Sequence, residues 1–98
     1  MKIIIIGPTL LTRKCAEALV RKGERIEAIY TLDDSLALTK SRFAIMDDIV
    51  EKNNISLHKV RDINSPEVIE QIKRINPDVI FELGWSQIIS PDILRIAS

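Results

Sequence analysis

Cysteine and histidine are almost missing from this sequence: Cys15 and His58 are the only ones among 98 residues. A single thiol cannot close an internal disulfide, which agrees with a reducing compartment. One Cys and one His also argue against a zinc site built within the chain. Neither charge is in excess, with 14 Lys and Arg against 14 Asp and Glu. No basic stripe is interleaved with aromatics, so charge predicts no nucleic-acid partner. No apolar run approaches the ~20 residues of a membrane span, and Met1 to Gly7 is too short for a signal-peptide core with its cleavage site. The expectation is a cytoplasmic protein without a membrane partner. Low-complexity segments and internal repeats are absent too.

What is present is apolar and rich in isoleucine. A hydrophobic content of 46% with 29% charged residues is the mix of a folded globular chain, and the length suits one α/β domain over residues 1–98. Lys2 to Ile6 is an unbroken apolar run closed by Gly7-Pro8, which predicts a central parallel strand buried on both faces. Leu11, Cys15, Ala18 and Leu19 recur at helical spacing, with Thr9 as a cap and Gly23 as a stop, so a helix is predicted over Leu10 to Lys22. Ile26 to Thr31 reads as a second buried strand and completes a βαβ unit. Asp33 to Ser41 reads as a loop, and Ala44 to Asn53 as a helix with Ile45, Met46, Ile49 and Val50 on its inner face. Leu57 to Val60 is a brief third strand. Ser65-Pro66-Glu67 is a strong helix start, with Val68, Ile69, Ile72 and Ile75 facing inward. Pro77 pushes Asn76 out of helical space. Asp78 to Leu83 is then a fourth strand, and Ser90-Pro91-Asp92 opens a last helix. Strand and helix alternate throughout, which predicts an open, mainly parallel Rossmann-like sheet with helices on both faces.

Several residue patterns invite a chemical reading. After the first strand, where dinucleotide-binding folds carry GxGxxG, positions 9 and 12 are both Thr and Pro8 removes an amide, which argues against NAD or NADP. A GK[ST] phosphate loop is absent. Asp33-Asp34 reads as a solvated turn. Asp47 and Asp48 are adjacent on a helix and point about 100° apart, so they do not converge on one ion and read as a solvated face. His58 has no Asp, Glu or Cys at ligand spacing and is expected to be structural or exposed. Cys15 reads as a small core residue. Trp85, the only tryptophan, follows Gly84 at the end of a strand, where open α/β sheets bind their ligands. It reads equally as a cap on the core and as a ligand wall.

The segment PDVIFELGWSQIISPDIL, from Pro77 to Leu94, resembles the folate-binding segment of the formyltransferases that use N10-formyltetrahydrofolate. There a strand beginning Pro-Asp-Val leads into an aromatic turn and a helix. The opening MKIIIIGPTLLTRKCAEALVRKGERIEAIYT and the stretch SLHKVRDINSPEVIEQIKRINPDVIF follow the same family order. Sugar-nucleotide and methionyl-tRNA formyltransferases are the nearer kinds, because Gly7-Pro8-Thr9-Leu10 departs from the Gly-Asn-Gly-Ser loop of the glycinamide ribonucleotide enzymes. The resemblance implies that the pterin ring lies on the turn at Gly84, bonded by main-chain groups around Gln87 and Ile89. Leu83, Trp85 and Ile88 would form its apolar wall. The loop Leu38 to Arg42 would face an amine substrate, expected to be an amino sugar carried on a nucleotide, with tRNA the only nucleic acid expected. The family's catalytic Asn, His and Asp have no counterparts at matching positions up to Ser98. The chain is therefore expected to be the amino-terminal part of a longer formyltransferase, inactive alone, with an apolar sheet edge prone to pairing with a second copy. A small regulatory or nucleotide-binding α/β module without chemistry is the alternative class.

Overall fold

The structure is a computed structural model that describes residues 2–7, 9–32, 47–83 and 91–96. Four strands, β1 (Ile3–Ile6), β2 (Ile26–Leu32), β3 (Ser56–Val60) and β4 (Val79–Glu82), form one sheet in the order β3-β2-β1-β4. Every pairing is parallel. Four helices are described: α1 (Leu10–Arg21), α2 (Asp47–Lys52), α3 (Pro66–Ile75) and α4 (Pro91–Leu94). The α/β Rossmann-like fold read from the sequence is the one observed.

The isoleucine run explains β1 and its place. All four of its side chains are buried, the condition of a strand covered on both faces. Ile3 and Ile5 join Ala16, Ile26, Ile29, Ile49, Val50 and Ile55 in the layer beneath α1 and α2. Ile4 and Ile6 join Ala28, Tyr30, Ile63, Val68, Ile72 and Ile93 in the layer beneath α3 and α4. Burial of each isoleucine or valine side chain is worth about 1.5–3 kcal/mol, so the two half-cores hold the sheet between them. The start of β4 is fixed by Lys2, whose carbonyl oxygen accepts from the Asp78 and Val79 amides at 2.9 and 3.2 Å.

The helix ends follow local chemistry. Ser65 caps α3 by accepting from the Val68 amide at 3.3 Å, with Pro66 next in line. Gly23 ends α1 at φ 82°, with the Gly23 and Glu24 amides returning to Val20 and Leu19, the paired bonds of a Schellman stop. Asn54 does the same for α2 at φ 56°. Asn76 leaves αR before Pro77, as predicted, but enters the left-handed region at φ 53°. Its amide closes on the Ile72 carbonyl oxygen at 3.1 Å.

The buried face of α1 differs from the predicted stripe. Leu10 and Leu11 are 51% and 59% exposed, and the fully buried positions are Thr12 and Ala16. Cys15, Leu19 and Val20 pack partly against the core. The inward face is thus rotated from Leu11 to Thr12, whose hydroxyl meets a hydrogen-bond acceptor, the Leu83 carbonyl, at the strand end. Counting apolar residues alone could not show that.

Candidate functional site

The strand order places a topological switch point beside β1. From β1 the chain crosses to β2 on one side, and from β3 it returns to β4 on the other. Open parallel sheets bind ligands in the crevice beyond the carboxyl ends at such a point. The groups at that edge of this sheet are Gly7, the start of α1 and Leu83, the first of the predicted cofactor-binding residues.

Backbone bonds bring these groups together. The Gly7 amide donates to the Tyr30 carbonyl oxygen at 2.9 Å, extending the β1–β2 ladder past the last strand residue. The Leu83 amide donates to the Ile6 carbonyl oxygen at 2.8 Å and does the same for β4. The Thr12 hydroxyl donates to the Leu83 carbonyl oxygen at 3.2 Å. Thr9 occupies the N-cap position of α1 with extended backbone, φ −102° and ψ 170°, but its side chain makes no capping bond. Its hydroxyl instead lies 3.5 Å from that of Thr12. With the Thr12 proton committed to Leu83, Thr9 is the donor in that long contact. A Cβ placed on Gly7 would run into both the Leu83 carbonyl oxygen and the Thr12 hydroxyl.

The two Thr residues therefore do something specific. They stand where a dinucleotide fingerprint has its second and third glycines, and they fill with side chains the space that those glycines leave for a pyrophosphate and for close helix packing. The sequence reading took Thr9 and Thr12 as missing glycines and overlooked Thr12 as a donor. The available signal was a hydroxyl on the inward side of an otherwise apolar helix face, four residues before Ala16.

Other predicted positions lie elsewhere. His58 is on β3, with β2 between it and β1, and its ring stacks on Tyr30 at 4.7 Å with 15° between planes. Burial pushes its pKa below the ordinary 6.5. Tyr30 is fully buried, donates its hydroxyl to Gln71 Oε1 at 3.2 Å, and is pushed up to about 12 by burial. Cys15 is half-buried against the α1 layer, and burial raises its pKa above the ordinary thiol value. Asp47 and Asp48 diverge: Asp48 takes both guanidinium nitrogens of Arg13 at 2.6 Å, and Asp47 sits 3.7 Å from Lys59 Nζ. Each is an exposed carboxylate holding a cation from a different element. A cleft of about 310 Å³ lies at the Arg13–Asp48 pair, and its lining residues belong to α1, α2 and Asn53, with none from the strand ends. Thr31, near the end of β2, is buried, and its hydroxyl has no partner among the described residues.

Gly84, Trp85, Gln87, Ile88 and Ile89 lie outside the described residues, as do Pro8, Ala44 to Met46 and the loop from Asp33 to Arg42. Among the described residues no three His, Cys, Asp or Glu side chains are placed to share a metal ion. No described helix is long and apolar enough to cross a membrane.

No known family model matches the chain. Among curated proteins, it is 26% identical over 98 residues to the methionyl-tRNA formyltransferase of Ruminiclostridium cellulolyticum, covering 98% of this chain and 31% of that protein. It is also 26% identical over 98 residues to the methionyl-tRNA formyltransferase of Clostridioides difficile, covering 98% of this chain and 32% of that one. The chain thus spans about a third of the length of the curated relatives it matches, and its similarity to these formyltransferases extends across its own length.

Proposed function

We propose that this chain forms the folate-binding part of an enzyme that transfers a formyl group from N10-formyltetrahydrofolate to an amine. The observation that carries the reading is the similarity to methionyl-tRNA formyltransferases across 98% of the chain. The switch point between β1 and β4 supports it, because the predicted cofactor segment Leu83, Gly84, Trp85, Gln87, Ile88 and Ile89 begins at the strand end where open parallel sheets bind ligands. Recognition on this reading is largely by backbone groups after β4, with Leu83, Trp85 and Ile88 as apolar wall.

Formyl transfer needs an amine to attack the formyl carbon, a tetrahedral oxyanion to be stabilised and the amine proton to be removed. His58 is not the base for that step: it is two strands from β4's neighbour β1 and engaged with Tyr30. These 98 residues bind and orient, and the transfer chemistry falls to the matching Asn, His and Asp of the full-length protein. The names of the curated relatives favour an aminoacyl-tRNA as acceptor, while the amino sugar on a nucleotide rests on the sequence resemblance alone.

The test is calorimetric titration of 5-formyltetrahydrofolate into the full-length protein and its Trp85→Ala variant, followed by a formyl-transfer assay offering methionyl-tRNA and a nucleotide-linked amino sugar in parallel. Binding that weakens roughly tenfold, about 1.4 kcal/mol, on loss of the indole is expected. Unchanged affinity would remove Trp85 from the site, and no binding by the wild type would end the folate reading.

A further inference from the structure

We draw no further inference here: the strongest candidate, the buried Thr31 hydroxyl near the carboxyl end of β2, has no partner among the described residues, but no described cavity is lined by it and nothing in the structure shows what would reach it.

Discussion

Glycine is required at position 7 for space and not for backbone conformation, because Gly7 lies outside the left-handed region and the conflict is with the Leu83 carbonyl and the Thr12 hydroxyl. One of those two is backbone in a parallel ladder and cannot swing aside. Gly7→Ala should therefore cost about 1–3 kcal/mol as overpacking, read as a lower urea midpoint with an unchanged m-value. His58 makes a different prediction. Burial against Tyr30 lowers its pKa below the ordinary 6.5, so the unfolded chain takes up a proton before the folded one does. Its contribution is intact above about pH 6.5 and is lost as pH falls through that value toward the lower folded pKa. A His58→Phe variant, which keeps a ring to stack on Tyr30, should lose less stability than wild type between about pH 7 and pH 5. Parallel stability curves for the two proteins would contradict this.

At the scale of elements, α1 ties the strand ends to the neighbouring helix. Its first turn reaches Leu83 through Thr12 and the first turn of α2 through Arg13, whose guanidinium grips Asp48 with two bonds at 2.6 Å. The side-chain hydrogen bonds from Arg13 hold the Asp48 carboxyl down at about 2, against an ordinary 3.8. Asp48 should titrate near 2 by carboxyl NMR in the wild type and move back toward 3.8 in Arg13→Gln. An Asp48 that titrates the same in both proteins would show that the pair is not formed in solution. The same helix shows where sequence reading succeeds and fails. Its start at Leu10 and its stop at Gly23 were legible, because capping positions and glycine stops are local chemistry. Its inward face was legible in part: Cys15 and Leu19 pack on the core as expected, whereas Leu11 is exposed and Thr12 is buried in its stead. Thr12 meets the Leu83 carbonyl there, a partner that only the fold brings near.

For the whole molecule, the strand order was the consequence of short connections and of an isoleucine run that must be covered on both faces. The elements and the parallel sheet could therefore be read in advance from Lys2 to Ile6, from Ile26 to Thr31 and from the Ser65-Pro66-Glu67 start. For the site, the sequence pointed to the end of β4 through Gly84 and Trp85, whereas the Gly7–Thr12–Leu83 contacts beside that strand end were not legible because they join distant residues. Placement of β1 between β2 and β4 puts Gly7, Leu83 and the start of α1 together at one edge of the sheet. His58 sits away from it on β3. The central claim is that a folate binds at this edge. Amide chemical-shift mapping of the full-length protein during titration with 5-formyltetrahydrofolate tests that claim most directly. The account predicts saturable shifts at Gly7, Thr9, Thr12 and Leu83, with α3 and the Tyr30–His58 face quiet. Shifts confined to α3, or none at Gly7 and Leu83 at saturation, would contradict it.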